Sequence, residues 1–463
     1  MSVRPNSPAA RDIAYHLHPY TNARKHEEQG PLIISEGKGV MVRDDQGNEY
    51  IEAMAGLWCT ALGFSEPRLI KAATAQLEKL PYYHSFAHKV PEAVIDLSEK
   101  LIELAPVPMS KAFFANSGSE ANDTVVKMIW YYNNARGRPE KKKIIGRIKG
   151  YHGITVASGS LTGIPVNHQD FDLPIANIIH TGCPHHYRFA EEGESEEDFA
   201  TRRADELEQL ILEEGPETVA AFIGEPVMGA GGVIVPPRTY WDKIQAVLRK
   251  YDVLLIADEV ICGFARTGNY WGSQTFDIKP DVMTMAKALT SGYVPMSAVL
   301  ISDEIYQGIA DNTAKIGNFG HGFTYTGHPL AAAVAMETLK VYEERDIVTH
   351  VRSLMAPFQQ GLRRFADEPL VGEVRGLGLI AAVEFVADKA SKAAFDAPGQ
   401  VGAYFVARAQ AHGLIVRPLG DAVAICPPLV ITEPQIAKLL DAFGKALADT
   451  QAWVGTEGLA SVA

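Results

Sequence analysis

Three polar features in the middle of the chain have the residue types and the spacing of a site for covalent catalysis. Lys287 stands inside the mostly apolar run DVMTMAKALTSG, and Asp258 ends the run VLLIAD. The tripeptide SerGlySer at 117–119 lies between a predicted strand and a predicted helix. An ammonium in apolar surroundings costs several kcal/mol unless it is paired or changes its chemistry. A lysine whose pKa is lowered in this way can form a Schiff base with an aldehyde.

Each feature also has an ordinary structural interpretation. Lys287 can bury its stem and place its amine in water, Asp258 can cap a helix or pair with an arginine, and Ser119 can cap the helix that follows it. Together, however, the three features match the needs of pyridoxal phosphate, which are a lysine, an acid for its pyridine nitrogen and a phosphate site. Tyr151 can stack on the ring of that cofactor.

The elements that must position these groups alternate short apolar strands with amphipathic helices. This alternation predicts an α/β fold with a mostly parallel sheet covered on both faces. The predicted strands are 111–116, 143–150, 219–226, 253–260, 281–287 and 295–302. The predicted helices are 90–104, 120–135, 198–215 and 239–251. Because such sheets bind ligands beyond the carboxyl ends of their strands, we expect the polar groups at five strand ends to converge on one pocket.

The pattern changes after about residue 330, where helices and strands mix as in a smaller α+β domain. The predicted elements there are helices 330–344, 399–412 and 433–447 and strand-like stretches 374–386 and 422–428. We therefore predict three parts, which are an N-terminal segment that packs with the small domain, a large cofactor-binding domain and a C-terminal small domain. Their predicted bounds are 1–62, 63–330 and 331–463.

Charge and composition exclude several classes of function. The chain has 463 residues, with 43 Lys and Arg against 56 Asp and Glu, a formal charge of −13. Such a surface matches a nucleic-acid backbone poorly, and no apolar run has the length of a membrane span. The start of the chain is polar and does not resemble a signal peptide.

The cysteines and histidines give no sign of disulfides or of a metal. Four scattered cysteines fit a reduced, intracellular protein, and we expect a cytoplasmic location. The stretch CPHH at 183–186 lacks the spacing of a helical ligand pair, so a polar loop is expected there and no metal site is predicted.

Seven stretches carry a resemblance to a known family. They are NSGSEAND, YHGIT, GEPVMGAGGVIVPP, LLIADEVICGFARTG, DVMTMAKALTSGYVPMSAVLIS, HGFTYTGHP and RGLGLIAAVEF. With these stretches in this order, the chain resembles the class III aminotransferases of the fold-type I pyridoxal-phosphate enzymes over nearly its whole length. The resemblance implies a mostly parallel, seven-stranded sheet. It also favours the cofactor hypothesis over the ordinary interpretations of Lys287 and Asp258.

The resemblance implies a role for each matching residue at the cofactor. Lys287 bonds to the cofactor and then moves the reacting proton, Asp258 pairs with the pyridinium nitrogen, and both are catalytic. The implied cofactor-binding residues are Ser117, Gly118, Ser119, Tyr151, Glu225, Asp258, Val260, Lys287 and Thr324. In this family Thr324 reaches the phosphate of the other subunit, which implies a homodimer with active sites at the interface. Assembly into a tetramer stays open.

The substrate class is inferred from single positions at which this chain resembles or differs from members of the family. The implied substrate-binding residues are Leu57, Trp58, Phe86, Tyr151, Ala230 and Arg417. Arg417 resembles a mobile arginine that pairs with a substrate carboxylate, although a surface arginine is the alternative. The segment after GluPro holds Met228 and Ala230, where relatives that act on ornithine, acetylornithine or 4-aminobutyrate usually carry a glutamine and a second acid. These features resemble the omega-aminotransferases that use amines, beta-alanine or taurine with pyruvate.

The resemblance predicts transfer of an amino group from an amine or omega-amino acid to pyruvate, in a ping-pong reaction through pyridoxamine phosphate. Two alternatives share the same key residues. One is another class III enzyme, such as an aminomutase, a racemase or a dialkylglycine-type decarboxylase. The other is a binding protein that keeps the fold without catalysis.

Overall fold

Three β-sheets organise the protein, whose structure is a computed structural model that describes residues 4–459. The strands, β1 to β15 in chain order, are Ile34–Lys38, Met41–Asp44, Glu49–Glu52, Lys111–Ala115, Lys143–Arg147, Ile178–Thr181, Val219–Gly224, Leu254–Asp258, Val282–Met285, Ser297–Ile301, Val371–Leu377, Ile380–Phe385, Leu414–Ile415, Arg417–Leu419 and Ala422–Ile425. The α-helices, α1 to α16, are Pro8–Tyr15, Ala23–Gln29, Ala55–Trp58, Pro67–Lys79, Glu92–Leu104, Gly118–Ala135, Val156–Leu161, His186–Phe189, Glu196–Glu214, Tyr240–Lys250, Gly272–Thr275, Asp303–Ile316, Pro329–Glu344, Ile347–Arg363, Gln400–Ala411 and Glu433–Glu457. Short 3-10 helices span Pro165–Asn167 and Lys287–Thr290.

The central sheet has seven strands in the order β4-β10-β9-β8-β7-β5-β6. Only β10 runs against its neighbours β4 and β9, so the predicted mostly parallel, seven-stranded α/β sheet is confirmed. Every residue of β7 is buried. Ala221 and Ile223 pack on the side of α6 and α12, whereas Phe222 packs on the side of α9 and α10. Helices on both faces explain why these strands read as continuous apolar runs.

The two smaller sheets lie outside this layer. One has the order β1-β2-β3-β13, in which β13 pairs parallel with β3 and so joins the first part of the chain to its last part. The other is antiparallel, with the order β11-β12-β15-β14. The domain bounds proposed from the sequence stay a prediction.

Several elements differ from the sequence prediction. The single strand expected over 374–386 is a hairpin of β11 and β12, because Gly378 at φ +61° provides the left-handed turn between them. Strand β6 and helix α14 were not predicted. Helix α14 contains Pro357, normally a helix breaker, yet it buries an apolar face. Helix α16 continues to Glu457, past its expected end at 447.

Two further expectations concern the cysteines and the membrane. Cys59, Cys183, Cys262 and Cys426 are all free thiols. Within residues 4–459, no helix combines the length and the apolarity that crossing a membrane requires.

Candidate active site

The carboxyl edge of the central sheet brings together groups from five strand ends. Strands β8 and β9 are neighbours, with Asp258 opposite Thr284, so Asp258 and Lys287 follow adjacent strands. They face a cavity of about 210 Å³. Its lining residues are Tyr20, Leu57, Trp58, Gly118, Ser119, Asn122, Tyr151, His152, Gly153, Glu225, Ala230, Asp258, Val260, Ile261, Ala286, Lys287 and Arg417.

Asp258 is buried and held by three donors. Its Oδ2 accepts hydrogen bonds from His152 Nδ1 at 2.8 Å and from Asn122 Nδ2 at 3.0 Å, and its Oδ1 accepts one from Val260 N at 3.1 Å. The partner is therefore a histidine and an amide rather than the arginine considered from the sequence. These bonds satisfy a carboxylate that would otherwise be costly to bury. They fix its orientation toward the cavity.

Lys287 is the second residue after the end of β9, and it opens a 3-10 helix. Its φ of +46° is unusual for a residue with a side chain, and such strain is concentrated at functional sites. The Nζ atom lies 5.7 Å from the centre of the Trp58 ring. Burial lowers the pKa of the Lys287 amine, although nearby thiol and carboxylate groups oppose that shift. The amine is therefore easier to deprotonate than an exposed lysine.

The start of helix α6 forms one end of the cavity. Ser117 caps this helix, because its Oγ accepts a hydrogen bond from Glu120 N at 3.1 Å. The capping interpretation of Ser119 is therefore wrong, since Ser119 Oγ instead accepts a bond from Ile154 N at 3.1 Å. Gly118 and Ser119 line the cavity, whereas Ser117 does not. Backbone N–H groups at a helix start favour an anion such as phosphate.

Glycines keep this end of the cavity open. A Cβ on Gly118 would lie 3.4 Å from both methyls of Val260, and a Cβ on Gly153 would lie 2.6 Å from Ser119 Oγ. Gly153 also has a φ of +138°, which side chains rarely adopt. The space beside Ser119 therefore depends on the absence of side chains at these two positions.

A hydrogen bond between Glu225 and Tyr151 joins the loops that follow strands β7 and β5. The Glu225 carboxylate accepts hydrogen bonds from Tyr151 N at 3.1 Å and from Gly229 N at 2.9 Å. Burial raises the pKa of Glu225. Burial also raises the pKa of Tyr151, and the Tyr20 hydroxyl adds to that effect. Glu225 lines the cavity, but both of its oxygens already serve to fix the loops that carry Tyr151 and Gly229.

Trp58 and Arg417 form the opposite wall. Trp58 is 3% exposed, with a φ of +60°, at the end of the distorted helix α3. The guanidinium carbon of Arg417 lies 4.9 Å from the Trp58 ring centre, a cation–π distance. Burial lowers the pKa of Arg417, and the groups that oppose this shift are the hydroxyls of Tyr151 and Tyr20 rather than carboxylates. A guanidinium placed in this way is available for a carboxylate that enters the cavity.

Besides Ser117, three residues singled out in the sequence lie outside this cavity. Phe86 is 44% exposed, and Thr324 is an exposed loop residue whose carbonyl accepts a hydrogen bond from Tyr82 at 2.8 Å. Within this chain neither forms part of the wall. Met228 is fully buried in a separate cluster, so its expected place at the substrate pocket is wrong, whereas Ala230 does line the cavity.

Sequence reasoning missed three polar residues of the site. Asn122 lies one helical turn after Ser119, and His152 directly follows Tyr151, so both stood within stretches that had been singled out. Tyr20 gave no such signal, because it belongs to the N-terminal segment and reaches the cavity only through the tertiary fold.

Comparison with known proteins agrees with this geometry. The sequence model of the family Aminotransferase class-III matches residues 22–447. The omega transaminase from Pseudomonas jessenii in complex with PMP is 62% identical, with a TM-score of 0.96 over 97% of this chain and 99% of that chain. A thermostable omega transaminase variant, W58M/F86L/R417L, engineered for asymmetric synthesis of enantiopure bulky amines, is 61% identical. Its TM-score is 0.96 over 97% of this chain and 100% of that chain.

A protein named for a different substrate is also similar. The mitochondrial gamma aminobutyrate transaminase 1 of Solanum lycopersicum is 54% identical over 436 residues, which are 94% of this chain and 85% of that protein. Class III aminotransferases use pyridoxal phosphate, in agreement with the PMP bound in the Pseudomonas jessenii structure. The chain belongs to the class III aminotransferase family and is an aminotransferase with the fold-type I architecture.

Proposed function

We propose that this aminotransferase moves an amino group from an amine or omega-amino acid to pyruvate, in a ping-pong reaction that uses pyridoxal phosphate. The observation that carries the proposal is the placement of Lys287 and Asp258 after adjacent strands, facing one cavity with an anion-favouring helix start. An amine, an acid and an anion cradle around one cavity are the three groups that this cofactor needs.

The residues around the cavity fit the cofactor. Gly118 and Ser119 would hold its phosphate at the start of α6, where glycines keep the backbone accessible. Asp258, fixed by its donors, would hold a proton on the pyridine nitrogen. Tyr151 and Val260 line the cavity and would enclose the ring. When bound, the cofactor supplies an electron sink that stabilises negative charge on the substrate carbon.

Lys287 would anchor the cofactor and act as the base of the reaction. Its amine lies in buried surroundings that lower its pKa, so a neutral amine is available at neutral pH more readily than on an exposed lysine. This amine would take the proton from the substrate carbon that bears the nitrogen. Its Nζ lies 5.7 Å from the centre of the Trp58 ring, within the same cavity.

The wall formed by Trp58 and Arg417 would accept two kinds of substrate. Arg417 would bind the carboxylate of pyruvate or of an omega-amino acid, because a guanidinium fork matches a carboxylate. Leu57, Trp58 and Ala230 would contact the apolar part of an amine. The engineered relative with W58M, F86L and R417L supports this assignment, since it was engineered for the synthesis of bulky amines.

4-Aminobutyrate is a second candidate donor, favoured by the 54% identity to the Solanum lycopersicum transaminase. From the sequence alone, the segment that holds Met228 and Ala230 predicts against this substrate. Met228 is buried away from the cavity, so that argument loses one of its two residues. 4-Aminobutyrate is itself an omega-amino acid with a carboxylate, and Arg417 suits it.

We also propose a homodimer with active sites at its interface. Phe86 and Thr324 lie on an exposed surface together with Tyr82, Tyr83 and Tyr325. Exposed aromatic residues grouped in this way are typical of an interface. In a dimer, this surface would bring Phe86 and Thr324 to the cavity of the second chain.

The experiment is a donor screen with the purified, cofactor-loaded protein. Both enantiomers of 1-phenylethylamine, beta-alanine, taurine and 4-aminobutyrate are each offered with pyruvate or with 2-oxoglutarate, and alanine or glutamate is quantified. We expect alanine to form with at least one donor, and the donor alone to convert the cofactor absorbance in a single half-reaction. Release of carbon dioxide, or isomerisation without any keto acid, would instead favour a decarboxylase, an aminomutase or a racemase. Absence of any spectral change with all donors would favour a non-catalytic protein.

A further inference from the structure

The N-terminal segment contains a cluster of three histidines around one carboxylate. Asp12 Oδ2 accepts hydrogen bonds from His18 Nε2 at 2.8 Å and from His26 Nε2 at 2.9 Å, and Asp12 Oδ1 accepts one from His16 Nδ1 at 3.2 Å. The side chains come from helix α1, its C-terminal cap, the following turn and helix α2. None of these four residues takes part in the site described above.

The three imidazole rings of the cluster lie close together. The rings of His16 and His18 have centres 4.3 Å apart, and those of His18 and His26 have centres 4.1 Å apart. A nitrogen of each ring is directed at the same carboxylate, that of Asp12.

Imidazole nitrogens and a carboxylate are the donor set of zinc and related divalent transition metals. The ligand atoms of Asp12, His16 and His18 all lie within 4.8 Å of one another, and His26 Nε2 adds a fourth donor 2.9 Å from the same carboxylate. His26 is mostly buried and His16 is more than half exposed, so the cluster has a closed side and an entry side. Small movements of the rings would bring the donors to metal distance.

A second cluster provides a contrast. His185, Glu373 and Glu384 also present ligand atoms close together. There, however, Arg375 and Arg188 already pair with the carboxylates at 2.5 to 2.6 Å. A cation would have to displace these arginines. The acid of the N-terminal cluster has only histidines as partners, among the residues 4–459 that the structure describes.

The N-terminal cluster lies next to a residue of the active site. Tyr20 lines the cavity and stands between His18 and His26 in the sequence, with a φ of +51°. Its hydroxyl accepts a hydrogen bond from Asn167. The same hydroxyl contributes to the raised pKa of Tyr151. An ion bound by residues on both sides of Tyr20 would fix the turn that carries it to the cavity.

We propose that Asp12, His16, His18 and His26 form a binding site for one divalent transition-metal ion of the zinc type, which fixes the turn bearing Tyr20. This goes against the expectation from the sequence that the chain has no metal site. The two histidines of CPHH were considered there, whereas the ligands proposed here are separated in sequence and meet only in the fold. The proposal does not depend on the identity of the amino donor.

The test measures Zn²⁺ binding by the cofactor-loaded full-length protein from which any affinity tag has been removed. Chelator-treated protein is dialysed against buffered Zn²⁺, and bound metal is counted by atomic spectroscopy. We expect a single ion per chain in the unchanged protein and at least about tenfold weaker binding in Asp12→Asn and in His18→Gln. Zn²⁺ should also raise the melting temperature of the unchanged protein but not of these variants.

A matched control and a second variant keep the result interpretable. His412 Nε2 lies 2.8 Å from Asp449, a single histidine–carboxylate pair, so His412→Gln should bind Zn²⁺ as the unchanged protein does. His26→Gln replaces a different ligand and should weaken binding even if Asp12→Asn folds poorly. Equal Zn²⁺ binding by the unchanged protein and by the ligand variants would overturn the proposal. So would the absence of bound Zn²⁺ in the unchanged protein, because the cluster would then be a hydrogen-bond network alone.

Discussion

The two walls of the cavity are built in different ways. On the sheet side, Asp258 ends strand β8, Asn122 lies in helix α6, and hydrogen bonds of 2.8 to 3.0 Å join Asp258 to Asn122 and His152. On the opposite side, Trp58 ends a distorted helix, and Arg417 lies in a strand of three residues. There, ring contacts rather than hydrogen bonds hold the side chains, and Trp58 Nε1 has no hydrogen-bond partner among the described residues.

This difference corresponds to two functions: the sheet side positions the cofactor rigidly, and the opposite side adapts to different substrates. Groups that must keep a fixed relation to the cofactor are placed on regular elements and locked by hydrogen bonds. Groups that select the substrate are placed on short, irregular segments, where packing allows a side chain to move without breaking a hydrogen bond. We therefore expect substitutions on the sheet side to affect all substrates, and those on the Trp58 side to affect substrates selectively.

The largest effect is expected for Lys287→Ala. Loss of the buried amine removes both the cofactor anchor and the base, so turnover should fall at least about a thousandfold with every donor. Steady-state rates with two unlike donors measure this. Lys279→Ala, at an exposed lysine, is the control and should keep its activity. A rate for Lys287→Ala within tenfold of the unchanged protein would contradict the role.

Asp258→Asn should have the next largest effect on the sheet side. An amide holds a pyridinium proton poorly, so the half-reaction should slow by about a hundredfold or more with all substrates. His152→Gln removes one donor to Asp258 and should slow it by only about tenfold. Single-turnover kinetics with one amine and one keto acid measure both variants. A larger loss in His152→Gln than in Asp258→Asn would show that the histidine, and not the carboxylate, dominates.

Arg417→Ala should instead be selective. We expect kcat/KM for pyruvate to fall about a hundredfold, because the carboxylate loses its bidentate partner, while the half-reaction with 1-phenylethylamine changes less than about threefold. Arg249→Ala, at an exposed position of α10, serves as the control. Equal losses for pyruvate and for the amine would refute the difference between the two walls.

A smaller, pH-dependent effect is expected for Glu52→Gln. Glu52 is buried below the segment that carries Trp58, and its Oε2 accepts a hydrogen bond from Gly56 N at 2.5 Å. Burial raises its pKa from 4.5 to about 7. Because the folded state holds this proton more tightly than the unfolded chain, stability falls as the pH rises from about 4.5 through about 7.

The glutamine variant avoids this loss, because it carries no charge at any pH. Between about pH 5 and about pH 8, the variant should gain on the order of 2 kcal/mol in free energy of unfolding relative to the unchanged protein. Denaturant titrations at several pH values measure the difference. Glu49→Gln, on the exposed end of the same strand, should show no such trend. A constant difference across this range would mean that Glu52 does not titrate there.

The sheet side was predictable from the sequence for a physical reason. Buried parallel strands are apolar runs, and the first polar residue after each run marks a strand end. This rule located Asp258, Glu225 and Lys287. The same apolar runs predicted six of the seven strands of this sheet, and the seventh, the half-buried β6, was missed because it lacks a clear apolar run. The count of seven strands came from the family resemblance.

The opposite side was less predictable, because tertiary contacts decide it. Tyr20 reaches the cavity from a segment without any periodic pattern. Met228 and Ala230 are two residues apart in one irregular loop, yet Ala230 faces the cavity and Met228 is buried elsewhere. No local rule states which residue of such a loop points to the ligand. The places of Phe86 and Thr324 at a second chain stay predictions that a single chain does not test.

Covalent trapping tests the central claim most directly. The purified protein is loaded with pyridoxal phosphate, reduced with borohydride, digested and mapped by mass spectrometry. We predict that the cofactor mass is found on the peptide that contains Lys287, and that prior conversion with an amine donor prevents the labelling. Labelling of a different lysine, or of none, would contradict the assignment of Lys287 and the account of the cavity that rests on it.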